Sequence, residues 1–292
     1  KNKKILIGVL KKLGFNLKNK KTIYLVESEE EEEFVKESLE KEKYIGIDTE
    51  FNWRNTYFPE LSLLQISTSN NILLIDCLKC KKLGFLKKIL GDEKKIIIMH
   101  SARSDTTVLN TNLKIKFINC FDVQIAEKFI NGGEIKNYGF IVAKYFGYKL
   151  DKSETNSNWL KRPFTRSQIS YAANDVKFLI NIYKKQKKIL EKMNLFSRAK
   201  ELTKKEVFLG SQDLYISRLS KFNSKRKVEK DLFMWREKAA IEKNIPPSFI
   251  FKDKHFKKIL KIYDDGISKQ SILYLLKNED LAIDLIKTLD QC

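Results

Sequence analysis

The chain has no long apolar run, since its longest, such as Ile72 to Ile75 and Ile96 to Met99, cover only a few residues. A helix needs roughly 20 apolar residues to span a bilayer, so no membrane span is expected. A short apolar stretch near the start is interrupted by Lys11 and Lys12, and no small-residue cleavage site follows it. We therefore expect no signal peptide.

Cysteine and histidine are scarce, with 4 and 2 residues respectively among 292. Cys77 and Cys80 form a CxxC pair, but no second pair completes a zinc site, and four scattered cysteines make no disulfide framework. The sequence therefore predicts a reduced, cytoplasmic protein.

Positive charge is abundant, with 57 Lys and Arg against 37 Asp and Glu and a formal net charge of +20. Such a balance suits a polyanionic partner. The predominance of lysine over arginine is equally compatible with an AT-rich genome, so the charge alone does not identify a function. A hydrophobic content of 42% is enough for one large core or two modest ones.

Short apolar runs and helix-period segments alternate over the first two thirds of the chain, which predicts an α/β domain with a mixed sheet. The predicted strands are Tyr44 to Ile47, Leu61 to Ser67, Ile72 to Ile75 and Lys95 to Met99, with a short candidate at Phe117 to Cys120. The predicted helices are Phe34 to Leu39, Leu83 to Leu90 and one long amphipathic helix over Gln168 to Leu190.

The last third has no strand pattern, and its helical segments, such as Val228 to Lys243 and Ile267 to Leu276, are separated by Pro246-Pro247 and Gly266. A boundary near Glu206 is predicted. The expected organisation is a basic N-terminal segment over 1–21, an α/β domain over 22–206 and a helical domain over 207–292.

Two carboxylates, Asp48 and Glu50, follow the apolar strand that begins at Tyr44. Strand periodicity places both on one sheet face, where their like charges favour a divalent cation with oxygen ligands. Taken alone, such a pair is more often a solvated turn.

Three further residues offer the same chemistry. Asp105 follows the strand that ends at Met99, and capping of the next helix is its simplest alternative role. Tyr171 and Asp175 are four residues apart and share a helix face beside an apolar stripe. Solvent exposure for Asp175 and a core position for Tyr171 are the alternatives.

Together, Asp48, Glu50, Asp105 and Asp175 provide the acids that a two-metal phosphodiester hydrolase needs, with Mg²⁺ or Mn²⁺ as the two divalent ions. Tyr171 is predicted to orient the attacking water. All five residues are predicted to be catalytic.

The surroundings of these residues resemble the ribonuclease D family of the DEDD superfamily of 3′→5′ exonucleases. The similar segments are Asp48 to Phe51, Tyr57 to Gln65, Asp122 to Ala126, Lys152 to Pro163 and Tyr171 to Asp175. Ser170 stands where another branch has histidine, so the resemblance is to the tyrosine branch, and His100 and His255 are expected to be structural. Trp235 to Ala239, Pro246 and Asp253 resemble an HRDC domain.

The resemblance implies a ribonuclease H-like mixed sheet flanked by helices, followed by an HRDC-like helical bundle. It implies a monomeric exoribonuclease that trims RNA with a free 3′ end, such as transfer RNA precursors, and releases 5′-mononucleotides. Lysines such as Lys225, Lys227 and Lys230 either follow a phosphate backbone or form a solvated face.

Four residues are predicted to bind substrate: Phe51, Trp53, Gln65 and Arg162. Phe51 and Trp53 are placed to stack on terminal bases, and packing beneath the sheet is the alternative for both. A DNA exonuclease and a catalytically silent nucleic-acid-binding protein are the competing functions. The presence of all four acids and Tyr171 argues against the silent one.

Overall fold

The computed structural model describes residues 11–13, for their backbone, and residues 21–291. Most of the predicted basic segment over 1–21 therefore lies outside the described residues. The described chain forms two compact units. The first runs to Asn52 and resumes over Leu61–Ser211, and the second combines Trp53–Glu60 with the residues from Gln212 onward.

The division between the two units falls after Ser211, five residues beyond the predicted boundary near Glu206. Helix α8, Phe196–Ser211, continues through Glu206 without interruption, and the change of unit follows its last residue. The boundary was predicted from a charged stretch of sequence. In the structure, those charged residues lie on the exposed side of α8, which belongs to the first unit. The short excursion of Trp53–Glu60 into the second unit was not predicted.

The first unit is built on a seven-stranded mixed sheet in the order β1-β2-β5-β4-β3-β6-β7. Its strands are β1 Lys11–Leu13, β2 Thr22–Val26, β3 Tyr44–Asn52, β4 Glu60–Ser67, β5 Asn71–Asp76, β6 Ile96–Met99 and β7 Cys120–Asp122. Strands β2 and β5, β3 and β6, and β6 and β7 pair in parallel, while β1 and β2 and β4 and β5 pair antiparallel. This sheet confirms the predicted fold class, although β1 and β2 were not predicted.

Helices cover both faces of this sheet. They are α1 Glu32–Glu40, α2 Phe85–Leu90, α3 Ala102–Leu113, α4 Val123–Ile130, α5 Tyr138–Phe146, α6 Arg166–Lys177, α7 Leu179–Lys192 and α8 Phe196–Ser211. A short 3₁₀ turn, Glu29–Glu31, precedes α1. The five consecutive glutamates from Glu29 to Glu33 thus lie at a helix N-terminus, where carboxylates suit the helix dipole.

Two apolar cores result, one on each face. Ile45 and Ile47 of β3 pack with α1, α2 and α3 on one side. The other side holds the apolar residues of α5, α6 and α7, including Ile141, Ala172 and Leu179. Alternate residues of one strand therefore enter different environments, as the strand period requires.

The predicted single helix over Gln168 to Leu190 is two helices in the structure. The chain leaves helical hydrogen bonding at Phe178, which has φ −99° and ψ −11° and ends α6 before α7 begins. Phe178 is buried. The apolar period continues across the break and no glycine or proline marks it, so the pattern gave no sign of a second helix.

The second unit contains only helices within its described residues: α9 Leu214–Leu219, α10 Lys227–Lys243, α11 Pro247–Ile250, α12 Asp253–Asp264, α13 Lys269–Leu276 and α14 Glu279–Leu289. Trp235 and Ala239 are buried in its core, as predicted. The Tyr57 hydroxyl from the short segment donates to the buried Glu237 carboxylate at 2.7 Å. That segment is therefore an integral part of the helical unit.

Over the residues that the structure describes, no helix is both long enough and apolar enough to cross a membrane.

Candidate active site

The site begins at the end of β3, where Asp48 and Glu50 follow buried Ile45 and Ile47. Both acids are only partly exposed. Gly46 allows this strand to lie close to its neighbours, because a Cβ there would meet the Ser67 hydroxyl at 2.7 Å. The strand that carries the acids is thus fixed by close packing on the face they share with Gly46.

Asp105 reaches the site from the first turn of α3 and is 4% exposed. Its carboxylate accepts a hydrogen bond from the Thr49 hydroxyl at 2.5 Å. It does not cap its helix. The Asp122 carboxylate accepts from the backbone N–H groups of Ser101 and Ala102 at the start of α3, at 3.1 and 2.8 Å.

Tyr171 and Asp175 are both on α6, which begins with a capping box formed by Thr165 and Gln168. The two hydrogen bonds of this box, at 3.0 and 3.1 Å, fix where the helix starts and therefore the direction of its residues. Tyr171 and Asp175 are each partly buried. The Tyr171 hydroxyl lies 3.4 Å from that of Thr155.

The four acids interact electrostatically across these segments. Burial, followed by the charge of Asp175, raises the pKa of Asp48 well above its usual value. Burial and then the charges of Asp48, Asp175 and Asp105 raise the pKa of Glu50 to about 10. Carboxylates with such pKa values resist ionising together unless positive charge is added.

The pKa values of Asp105 and Asp175 are raised for the same reasons. Burial and then Asp48 raise the pKa of Asp105 well above its usual value, and the hydrogen bond from Thr49 acts against this. Burial and then Asp105 raise the pKa of Asp175 to about 7. The structure therefore brings together all four acids that the sequence singled out.

The donor set fits a divalent cation in chemistry and in charge, since it consists of carboxylate oxygens whose repulsion a cation relieves. Within residues 21–291, no group of three or more histidine, cysteine, aspartate or glutamate side chains is arranged so that it could already hold a metal ion. Binding would therefore require the carboxylates to turn toward a common centre.

The predicted base-stacking residues have other contacts. Phe51 is partly buried and packs into the core on the sheet face opposite Asp48 and Glu50. The strand period thus turns Phe51 away from the acids, and base stacking by Phe51 stays a prediction. Trp53 belongs to the helical unit, where its indole N–H donates to the Tyr57 carbonyl at 3.0 Å. Stacking by Trp53 stays a prediction.

Gln65 and Arg162 were also predicted to bind substrate. The Gln65 side chain is fully buried and its amide has no hydrogen-bond partner among the described residues. The Arg162 guanidinium binds Asp76 in bidentate fashion, at 2.6 and 2.8 Å, and also donates to Trp159 and Ser62. Gln65 is enclosed and the Arg162 guanidinium is held by protein partners, so these contacts do not favour substrate binding, which stays a prediction for both residues.

The surroundings of His100 suit the structural role expected of it, and the same role for His255 stays a prediction. His100 Nε2 lies 3.4 Å from the Lys136 carbonyl, and the ring packs against Tyr138 with centroids 5.5 Å apart. Burial lowers the pKa of His100. Thr49 and Asp122 were not assigned roles from the sequence, although both lie in segments that carried the family resemblance. Their partners, Asp105 and the start of α3, become apparent only in three dimensions.

The first unit matches the 3′-5′ exonuclease family over residues 23–191, and residues 225–263 match the HRDC domain. Ribonuclease D of Desulfotalea psychrophila is 31% identical over 223 residues, which cover 72% of this chain and 59% of the relative. Ribonuclease D of Haemophilus influenzae is 29% identical, over 80% and 61% of the two chains. The chain thus spans about three fifths of the length of these curated relatives.

The fold is also that of solved structures. The crystal structure of Escherichia coli RNase D, an exoribonuclease involved in structured RNA processing, superimposes with a TM-score of 0.79 at 23% identity, covering 92% of this chain and 75% of that one. Brucella melitensis NrnC with bound Mg²⁺ gives a TM-score of 0.54 at 20% identity, with 65% and 92% coverage. Both similarities concern the fold.

Proposed function

The chain belongs to the 3′-5′ exonuclease family, and on that premise we propose that it is a metal-dependent 3′→5′ exoribonuclease of the ribonuclease D type. The observation that carries the proposal is the convergence of Asp48, Glu50, Asp105 and Asp175, each of which has its pKa raised by at least one of the others. Such a cluster is suited to cation binding and has no evident structural use.

Two divalent cations, Mg²⁺ or Mn²⁺, would neutralise the carboxylates, activate a water and stabilise the leaving 3′ oxygen when bound. Asp48, Glu50, Asp105 and Asp175 are the residues that would hold them. The bound Mg²⁺ of the NrnC structure supports a divalent metal in this fold.

Two side chains beside the acids would support the reaction. Thr49 holds the Asp105 carboxylate in place by its 2.5 Å hydrogen bond. The Tyr171 hydroxyl, steadied by Thr155, is placed one helical turn from Asp175 and would orient the attacking water. Hydrolysis by such a water would release 5′-mononucleotides from the 3′ end.

RNA with a free 3′ end, including transfer RNA precursors, is the proposed substrate. Its support is the name ribonuclease D shared by the relatives and the RNA-processing role of the Escherichia coli protein. The exposed Lys225, Lys227 and Lys230 of the helical unit are proposed to contact its phosphates. A monomeric state and a cytoplasmic location stay predictions, as do the three-part domain boundaries.

The test is to incubate the protein with a 5′-labelled transfer RNA that carries a 3′ extension, and with DNA of matched sequence, in Mg²⁺, Mn²⁺ or EDTA. We expect a ladder of 3′-shortened RNA with metal and none in EDTA. Asp48→Asn should remove the ladder, while Glu93→Gln, a change at an exposed carboxylate, should retain it.

Degradation that continues in EDTA, or at the wild-type rate in Asp48→Asn, would overturn the metal mechanism. Degradation of DNA alone would establish the DNA exonuclease instead. Tight RNA binding with no shortening under any metal would support the silent nucleic-acid-binding protein.

A further inference from the structure

One helix face of the first unit carries positive charge that has no role in the candidate active site. Helix α7 contains five lysines and a single acid, Glu191, which pairs with Lys187 at 3.6 Å. Lys184, Lys188 and Lys192 are exposed and lie four residues apart, so they form one column along the helix with a rise of about 6 Å between neighbours. These three residues are called the α7 lysine column below.

The charge of the α7 lysine column is not neutralised within the described part of the chain. No carboxylate among residues 21–291 forms an ion pair with any of its three lysines. Elsewhere on the same unit, Lys36, Lys79 and Lys82 each pair with a glutamate. Like charges four residues apart destabilise a helix, so the column has a cost that no contact of the folded unit explains.

Aromatic rings hold the start of the column in place. The Lys184 Nζ lies 5.4 Å from the centre of the Tyr44 ring, and the Nζ of the adjacent Lys185 lies 5.6 Å from that of Phe146. The face of an aromatic ring attracts an ammonium group although the ring has no net charge. These lysines are therefore directed by their contacts and keep their full charge for a partner.

The α7 lysine column lies on the same side of the sheet as the acids and leads away from them. Tyr44, Gly46 and Asp48 share one face of β3, because strand side chains alternate. Helix α7 begins beside Gly46, where an added Cβ would meet the Leu179 Cβ at 3.0 Å, and reaches the Tyr44 ring at Lys184. From Tyr44 to Asp48 the strand covers about 13 Å. The column thus begins about 13 Å from the first acid and continues away from it.

We propose that the α7 lysine column binds the phosphate backbone of the RNA body, which is the folded part of the RNA upstream of the 3′ end that enters the active site. The inference rests on the proposed function. A phosphate backbone matches the column in sign and in its regular repeat, and contacts to phosphates fix the position of a nucleic acid without selecting its sequence. A second copy of this chain does not fit, because its formal net charge of +20 would repel the column.

The test uses two triple variants of the column, one with glutamine and one with arginine at all three positions. The arginine variant keeps the charge. The matched control carries Lys36→Gln, Lys79→Gln and Lys82→Gln, which lowers the net charge by the same amount at lysines that already have acidic partners. A general effect of net charge is thereby separated from an effect of this helix face.

Two sets of measurements are made on each protein. The first is the dissociation constant of 3′-extended transfer RNA in EDTA over a range of salt concentrations, which needs no hydrolysis. The second is kcat and KM with Mg²⁺, on the same RNA and on a trinucleotide. Three stacked nucleotides extend only about 10 Å, so a trinucleotide in the active site does not reach the column.

For the glutamine variant we expect transfer RNA binding to weaken by about 10- to 100-fold at low salt. The slope of log K against log salt concentration should become shallower by about 2, which corresponds to three lost phosphate contacts. KM on transfer RNA should rise in proportion while kcat is unchanged, and KM on the trinucleotide should change by less than about twofold. The arginine variant and the control should bind transfer RNA as the wild type does.

Wild-type RNA binding by the glutamine variant would overturn the proposal, and so would an equal loss in the control or in the arginine variant. An equal rise in KM on the trinucleotide would also overturn it, since that effect would not depend on reach. If the wild-type protein binds transfer RNA but shortens none with any metal, the exoribonuclease proposal fails separately, and the dissociation constants in EDTA still decide the role of the column. Absence of RNA binding by the wild type would overturn both.

Discussion

Neutralising Asp175 should stabilise the metal-free protein while it abolishes activity. The pKa of this carboxyl rises from 3.8 to about 7 on folding, through burial and then the charge of Asp105. Keeping it ionised in the folded state at pH 8 therefore costs about 4 kcal/mol relative to the unfolded chain. Asp175→Asn removes this cost and keeps the shape of the side chain.

The sign of the pH dependence follows from the direction of the shift. Between the unfolded pKa and the folded pKa, the folded state binds more protons, so wild-type stability is lost as pH rises through about 7. Glu50, with a pKa raised to about 10, extends the loss to higher pH. At pH 5 the cost attributable to Asp175 is only about 2 kcal/mol.

The assay is thermal unfolding of the metal-free protein at pH 5 and pH 8, for wild type, Asp175→Asn and the exposed-site control Glu93→Gln. We expect Asp175→Asn to melt roughly 10 °C higher than wild type at pH 8 and about 5 °C higher at pH 5. Saturating Mn²⁺ should raise the wild-type melting temperature more than that of the variant.

An Asp175→Asn protein that melts lower than wild type, or whose gain is the same at both pH values, would refute the reasoning. Either result would mean that Asp175 is stabilised by contacts rather than strained by like charges. RNA degradation at the wild-type rate in the same variant would show that the cluster has no part in the reaction.

Three further predictions concern the supports of the site. Thr49→Val removes the hydrogen bond to Asp105 and should lower kcat on 3′-extended RNA about 10-fold, with little change in KM. An unchanged kcat would show that this hydrogen bond has no catalytic role. Arg162→Met leaves the buried Asp76 without its ion-pair partner and should lower the free energy of unfolding by about 3–5 kcal/mol in urea titrations. A large rise in KM without loss of stability would instead support the substrate-binding role predicted for Arg162. Gly46→Ala introduces a Cβ only 2.7 Å from the Ser67 hydroxyl and 3.0 Å from the Leu179 Cβ. It should lower the free energy of unfolding by about 1–3 kcal/mol in the same titration. An unchanged free energy of unfolding would show that the neighbouring elements can move apart.

Local patterns were sufficient to locate the acids, but not their neighbours. Asp48 and Glu50 follow an apolar run whose period fixes their face, and Tyr171 and Asp175 are related by one helical turn. The sequence did not show that the Arg162 guanidinium binds Asp76, because the two residues are 86 positions apart. No short motif contains that pairing.

The same limit explains the strands and the helix break. Thr22–Val26 becomes a strand because it pairs in parallel with Asn71–Asp76, which is a long-range contact. The interruption at Phe178 lies inside a continuous apolar period, so propensity and pattern both favoured one helix. Gln65 is a polar residue in an apolar strand, and the sequence did not show that its side chain is enclosed.

The excursion of Trp53–Glu60 into the helical unit has a consequence for genetics. A gene fragment that starts at Gln212 would encode the helices without Tyr57, and the buried Glu237 would lose its hydroxyl donor. A fragment that stops at Ser211 would carry that same octapeptide with nothing to receive it. Recombination at the apparent junction would therefore damage both products, so this arrangement is expected to be inherited whole and not shuffled as two exchangeable modules.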